Sequence, residues 1–472
     1  MSQKFRYKNY LLWFAQEHVD FRVAEMDSIF GMFNIKYNSI VKNKIHPFWV
    51  VQLDSEDDAR KIASRSILLR YVIELWAFST DLSCLNLQLQ TEEVELVSTH
   101  MSSTFKIIVE TFGKHFTQKE KIDKIENFKY LPYKGTVSLK DPDKILYYIE
   151  YYGLDANNVP EKPENVFFGR WITDGQRNLM KELSLKQRKF IGNTSMDPQL
   201  SVIMVNQTKA KEGDIILDPF VGTGSVLISA AKFGAYTLGA DIDYQTLHAR
   251  TRPSRITQKV REKDESVAAN MKQYGIQDRY LDVIVSDFTK SAWRSCFQID
   301  AIVTDPPYGI RESVEKIGTS KDSVSISEEQ ADSHIPSKVD YALPHLFKDL
   351  LNFAAEHLKM DGRVVFWFPI FRKTFTSEQL PVHPCLELVA NSEQVLSSHS
   401  SRLLLTYEKT KEVESDDPPC VIGEDNFRDL FFNEREEKRK VRRARKCEER
   451  ARMKREWEKR VMASVSSGDS AS

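Results

Sequence analysis

The sequence predicts an α/β chain: a doubly wound parallel sheet of about seven strands in the second half, preceded by a smaller α+β unit. Three observations lead there. Beyond residue 165, apolar runs stop at Asp218, Asp241, Asp287 and Asp305 with mainly helical stretches between them, which is the rhythm of βαβ units. The first of these runs enters a tight Gly-x-Gly turn at Gly222 and Gly224 and then a helix. The chain has 472 residues, more than one usual domain, so a separate unit ahead of the sheet is the natural partition.

In the N-terminal unit, Tyr10 to Ala15 and Phe48 to Leu53 read as strands, Asp20 to Phe33 as an amphipathic helix, and Ser55 to Arg65 as a second helix. Ser55 precedes three acidic residues, so its hydroxyl can satisfy orphan backbone donors where negative charge favours a helix start. Thr104 to Phe112 alternates like a half-buried strand, and Thr117 with Glu120 has the capping-box form. Lys144 to Tyr152 is expected to be an amphipathic helix, with Tyr147, Tyr148, Tyr151 and Tyr152 in its core face. The Pro- and Asn-containing stretch Asp155 to Asn165 reads as a linker, giving units of 1–165, 166–410 and 411–472. In the second unit, Arg363 to Phe368 adds a strand, and Leu386 to Val389 with Arg402 to Glu408 reads as a closing pair.

Two inserts interrupt that unit, and both are expected as surface loops. One is basic, from Arg250 to Lys263; it either contacts phosphates, since sequence-independent RNA affinity is mainly cationic, or is simply solvated. The other carries seven serines between Arg311 and Lys338. From Glu434 to Arg460 there are 14 Lys or Arg against 7 Glu, which suits a solvated helix, an RNA-binding element or a nuclear signal. Beyond Ala463 a Ser-rich disordered end is expected.

Composition excludes several classes. Hydrophobic residues make up 41% and charged residues 29%, an ordinary globular balance, and a net charge of -1 predicts no partner. The longest apolar stretch, Val364 to Phe371, is far short of the ~20 residues that cross a bilayer, and Met1 to Arg22 lacks the apolar region of a signal peptide, so a cytoplasmic chain is expected. The cysteines, Cys84, Cys296, Cys385, Cys420 and Cys447, form no CxxC pair and are expected as free thiols with no metal site.

The chemistry is carried by two segments. Asp214-Ile-Ile-Leu-Asp-Pro-Phe-Val-Gly-Thr-Gly-Ser225 is a strand, turn and helix start against which a ligand can lie. It has no Gly-Lys-Ser/Thr, so it is no P-loop, and Leu227 stands where a dinucleotide enzyme would want a third glycine. Asp241, about 20 residues on, can accept both hydroxyls of a ribose. Asp243 is the alternative, since neighbouring alternate positions on a strand end compete for that role. The second segment, Ile299-Asp-Ala-Ile-Val-Thr-Asp-Pro-Pro-Tyr-Gly309, ends an apolar strand in Asp305-Pro306-Pro307-Tyr308. The Asp305 carboxylate and the Pro306 carbonyl can each accept one N–H of a planar exocyclic amine, aiming its nitrogen at an electrophilic methyl group. Pro306 and Pro307 stiffen the loop and remove competing donors, and Tyr308 can stack on an extruded base.

These motifs, with Phe168-Gly-Arg-Trp-Ile-Thr-Asp-Gly-Gln-Arg177 and Phe190-Ile-Gly-Asn-Thr-Ser-Met-Asp197, resemble the catalytic subunits of tRNA guanosine-10 N2-methyltransferases. The resemblance covers about 1 to 410. It implies a class I Rossmann-like methyltransferase domain after a THUMP-like RNA-binding region, with S-adenosyl-L-methionine as cofactor, tRNA as substrate and a small zinc-ribbon activator subunit as partner. Residue by residue it implies that Asp218, Gly222 and Gly224 line the methionine side of the cofactor. Asp241 would take the ribose, Asp287 either the adenine amine or the cap of the next helix, and Thr194 to Asp197, with Thr194 and Ser195 on the cofactor, would close the pocket. Two rival readings are a non-catalytic RNA-binding scaffold and a DNA adenine N6-methyltransferase.

Overall fold

Strands dominate the N-terminal unit of the computed structural model. The described residues are 8–91, 102–290, 292–319, 334–423 and 427–434, followed by 440, 442, 443, 446, 448, 449, 452 and 453. The middle of the Ser-rich insert (320–333), most of the basic segment with Cys447, and the Ser-rich end lie outside them. Strands β1 (Lys8–Phe14), β2 (Tyr37–Val41), β3 (Phe48–Leu53), β4 (Leu69–Ser79), β5 (Phe105–Phe112), β6 (Lys144–Tyr151) and β7 (Asn165–Asp174) form one sheet in the order β2-β3-β1-β4-β7-β6-β5. Only β5 and β6 pair in parallel. Ser55 caps the helix Glu56–Ala63 by accepting from the Asp58 backbone N–H, and Thr117 and Glu120 make the reciprocal capping box.

Two expectations fail in this unit. Lys144–Tyr151 is a strand, not a helix. Its tyrosines are core, but on two faces: Tyr147 and Tyr151 pack into one apolar cluster, Tyr148 and Tyr152 into another. A strand covered on both faces is a continuous apolar run, in which neither period stands out. The supposed linker merely joins β6 to β7, and β7 lies inside the first sheet between β4 and β6, so the change of sheet comes after Asp174 and not near 165. Pro and Asn mark an irregular connection; they carry no information on which sheet the next strand joins.

The second sheet contains β8 (Ile215–Asp218), β9 (Tyr236–Asp241), β10 (Tyr280–Val285), β11 (Ile299–Thr304), β14 (Leu358–Phe371), β15 (Leu386–Val395) and β16 (Ser400–Lys409), ordered β10-β9-β8-β11-β14-β16-β15. The first five in that order run parallel, and β16 and β15 close the edge antiparallel. Strands β12 (Glu315–Ile317) and β13 (Lys338–Asp340) pair at the base of the Ser-rich insert. Strand order reverses between β8 and β11, so the crevice beyond their C-terminal ends is the natural ligand position.

The units share one core. Phe21, Met26 and Ile29 of the first pack with Val202, Met204 and Trp367 of the second. Buried Glu25 accepts from Ser66 Oγ (2.6 Å), the Ile67 N–H (3.2 Å) and Asn206 Nδ2 (2.8 Å), while Arg65 Nε donates to Asn206 Oδ1 (3.2 Å). Burial raises the Glu25 carboxyl above the usual range, against those donors. The tail also joins the second unit before it ends: Cys420 is buried, Val421 bridges to Val382, and 427–434 form a helix. The expected unit boundary at 410 therefore cuts through packed structure.

No helix among the described residues is long and apolar enough to cross a membrane. Of the described cysteines, Cys84 and Cys296 are exposed and Cys385 and Cys420 buried, all as free thiols.

Candidate active site

Four strand ends feed one cleft of about 1040 Å³, which Asp218, Gly222, Asp241, Asp287, Thr194, Ser195 and residues 305–308 all line. Each aspartate is held by its own local chain. Asp218 is 3% exposed; its Oδ1 accepts from Thr304 Oγ1 at 2.5 Å and from the Phe220 N–H at 3.1 Å. Burial pushes its carboxyl up to about 7, the donors opposing and Asp241 and Asp305 adding like charge. Asp241 accepts from the Gly222 N–H (2.9 Å) and the Asp243 N–H (2.8 Å), yet burial still raises it to about 6. Asp243 also lines the cleft, but its carboxylate caps the helix Tyr244–Leu247 through the Gln245 and Thr246 N–H groups and Thr246 Oγ1. Asp241 is the less committed of the two.

Asp287 is buried and holds its own turn: Oδ1 accepts from the Thr289 N–H and Oγ1, and Oδ2 from the Ile317 N–H of β12 at 2.8 Å. The base of the Ser-rich insert is thereby tied to the cleft. Thr194 Oγ1 donates to Glu312 Oε1 (3.1 Å), and Ser195 Oγ lies 2.6 Å from Thr223 Oγ1, so the 192–197 loop bridges the two motif segments.

The two glycines differ. Gly222 has φ +49°, and a Cβ there would meet nothing within 4 Å, so the turn leaves open room toward the cleft. Gly224, at φ +77°, does not line the cleft as expected: a Cβ would sit 2.7 Å from Val267 Cγ1, so its lack of a side chain serves helix packing behind the wall.

At the other end, Asp305 closes β11. Tyr308 OH donates to Asp305 Oδ1, and Arg402 Nη1 donates to Oδ2 at 3.1 Å. Burial raises the Asp305 carboxyl, and the Arg402 charge opposes that rise. Arg402 is itself fixed, with Nε on Gln394 Oε1 (2.8 Å) and the guanidinium 3.9 Å from the Trp367 ring centroid. Sequence reading missed Arg402 because nothing local marks it; only the pairing of β14 with β16, which sets Arg402 opposite Pro369, brings it to the site. Thr304 is likewise absent from the sequence-derived set, although a hydroxyl ending an apolar strand next to Asp305 is a local signal for it.

The basic insert divides. Arg255 donates to the Lys189 and Leu185 carbonyls, and Arg261 pairs with Glu265 at 2.6 Å over the Phe190 ring; both are structural. Arg250, Arg252, Lys259 and Lys263 are exposed. Among the described residues no group of His, Cys, Asp and Glu could hold a metal ion.

Chemically, the cleft joins an acidic end, suited to hydroxyl, amine and ammonium donors and hostile to phosphates, to a carboxylate that can accept from an amine. Residues 8–177 match the family described as Tmrp11 THUMP N-terminal domain, and 186–320 the RMKL-like methyltransferase domain. The chain is 45% identical over 436 residues to the tRNA (guanine(10)-N(2))-methyltransferase TRMT11 of Mus musculus, covering 90% of this chain and 95% of that protein. To the Homo sapiens protein of the same name it is 46% identical over 439 residues, with the same coverage. To the tRNA (guanine(10)-N(2))-methyltransferase of Saccharomyces cerevisiae it is 34% identical over 441 residues, covering 90% and 99%. With fold, cleft and near full-length similarity in agreement, the chain belongs to the tRNA (guanine(10)-N(2))-methyltransferase family.

Proposed function

We propose that this chain transfers a methyl group from S-adenosyl-L-methionine to the exocyclic N2 amine of guanosine 10 in tRNA. The observation that carries the reading is the arrival of Asp305-Pro306-Pro307-Tyr308 in the same cleft as Asp218, Asp241 and Asp287. The cofactor fits on chemical grounds: it presents hydroxyls, an adenine amine and an ammonium group to an acidic wall, and Gly222 leaves room beside the turn. In this reading Asp241 accepts the ribose hydroxyls, Asp218 faces the methionine end, and Asp287, whose Oδ2 accepts a single hydrogen bond and keeps one free lone pair, accepts the adenine amine. When bound, the cofactor supplies an electrophilic methyl group on a sulfonium.

The protein then has to orient the amine. Each Asp305 oxygen already accepts one hydrogen bond and has a second lone pair, so it can take an N–H of the target base while the Pro306 carbonyl takes the other. That fixes the nitrogen lone pair toward the methyl group, the main contribution available when the nucleophile is the substrate itself. The N–C bond forms as the methyl–sulfur bond breaks to leave a neutral thioether, and Asp305 accepts the proton that the nitrogen releases; the Arg402 charge favours the carboxylate form of Asp305 against the opposing effect of burial. The N-terminal unit binds the tRNA, a small zinc-ribbon subunit assists the catalytic chain, and the complex works in the cytoplasm.

The test is methyl transfer from labelled cofactor to unmodified tRNA, with and without the zinc-ribbon subunit, followed by nucleoside analysis. Asp305→Ala should lower turnover by about 10²-fold or more while cofactor affinity stays near normal; Asp241→Ala should weaken cofactor binding first. No label in any condition, despite measured tRNA and cofactor binding, would favour a non-catalytic scaffold. A parallel reaction with duplex DNA in place of tRNA that yields labelled N6-methyladenine would favour the other rival.

A further inference from the structure

The helix 427–434 has no role in the reading above, yet it is docked on the reactive end of the cleft. Phe427 is 3% exposed and belongs to the apolar cluster that includes Phe366 and Phe368 of β14 and Leu403 and Leu405 of β16. Arg428 runs along the catalytic loop so closely that a Cβ on Gly309 would lie 3.3 Å from Arg428 Cδ. Gly309 also has φ +76°, which is the reason the residue after Tyr308 is a glycine. At the far end Glu434 Oε1 pairs with His399 Nε2 at 2.7 Å, and His399 stacks on Phe371. Three contacts thus hold the helix, two of them to segments that build the site.

What this anchoring presents to the cleft is one side chain. Phe431 follows Phe427 by one turn, at a ring separation of 6.0 Å, and lines the cleft together with Tyr308, Ile310 and Leu396. Both Tyr308 and Phe431 are partly buried against the same core cluster. Beside Asp305 the cleft therefore offers aromatic and aliphatic surface from Tyr308, Ile310, Leu396 and Phe431, together with the charge of Arg402. A flat heteroaromatic ring whose edge reaches Asp305 needs apolar surface against its faces, which Tyr308 alone supplies on one side only.

We propose that helix 427–434 is the second wall of the slot for the methylated base, with Phe431 stacking on the extruded guanine. The proposal rests on the methyltransferase reading and deepens it. A rigid docked aromatic costs little ordering when the base enters, and stacking is insensitive to sequence, so Phe431 holds the ring while Asp305 selects the amine.

The experiment uses the full chain, with and without the zinc-ribbon subunit, and unmodified tRNA. Parent, Phe431→Ala, Phe431→Leu and Phe431→Tyr are compared by kcat and KM for tRNA, cofactor Kd and melting temperature. Loss of one base–aromatic stack predicts kcat/KM about five- to a hundredfold lower for Phe431→Ala. Phe431→Leu, which keeps apolar bulk, should stay impaired, Phe431→Tyr should recover most of the activity, and cofactor Kd should remain within about twofold throughout. A Phe431→Leu or Phe431→Ala variant as active as the parent would overturn the proposal. So would a parallel loss of cofactor affinity and melting temperature in all three, which marks a packing role. A parent chain that methylates no tRNA would overturn the underlying reading, and is recognised without any variant.

Discussion

Replacing Arg402 tests whether a residue with no sequence motif sets the state of the residue with the strongest one. Its guanidinium stands 3.1 Å from Asp305 Oδ2, and the two side chains are 14% and 26% exposed. Removing one member of a buried ion pair typically costs about 3–5 kcal/mol, because the other charge is left desolvated and alone. Solvent reaches about a quarter of the Asp305 side chain, so the cost falls below that scale, to about 2–3 kcal/mol, or about 30- to 150-fold in kcat/KM if Asp305 must be ionised. The sign is fixed by the geometry. Burial raises the Asp305 carboxyl and Arg402 opposes it, so Arg402→Ala moves the acid limb of the pH–rate profile to higher pH, and part of the lost activity returns as pH rises. Arg402→Lys keeps a point charge but loses the fork that also reaches Gln394, and should fall between parent and Arg402→Ala. The assay is kcat/KM for tRNA between pH 5.5 and 9, with cofactor Kd as the control for folding. An Arg402→Ala profile that superimposes on the parent's, with less than about threefold loss, would refute the argument.

Cofactor affinity should depend on pH through the two raised carboxylates. If binding needs ionised Asp218, titrating at about 7, then at pH 5.5 only about 3% is in that form, and affinity falls about 30-fold from its value at pH 8. Calorimetric Kd values across that range check this, and a flat profile would reject it. In the free chain the same groups act oppositely on stability: folded carboxyls at about 7 and 6 favour the folded state at low pH, and that contribution is lost as pH rises through those values. Asp218→Asn should therefore raise the melting temperature of the free chain at pH 8 while weakening cofactor binding; a lowered melting temperature would contradict the linkage. At the junction of the units, Asn206→Ala strips buried Glu25 and Arg65 of a shared partner and should cost about 2–4 kcal/mol in urea unfolding. A loss below about 0.5 kcal/mol would mean the network is dispensable.

Parts of the molecule whose chemistry is local could be read directly from the order of residues. A strand ending in aspartate, a Gly-x-Gly turn and a stiff Asp-Pro-Pro-Tyr loop depend on neighbours within a few residues, and the structure brings their side chains to one cleft, Gly224 excepted. Helix starts at Ser55 and Thr117 were readable for the same reason, since a cap is an interaction over three residues. Where burial on both faces erased the period, as in Lys144–Tyr151, the reading failed. Tertiary structure alone decided which sheet β7 joins, that the two units share a core through Glu25, Arg65 and Asn206, and that Arg402 and Phe431 reach the site from about 100 or more residues beyond Asp305 or close to it. Such placements follow from strand order and from helix docking, which are set by the sum of many distant contacts, and no short stretch of chain encodes a sum.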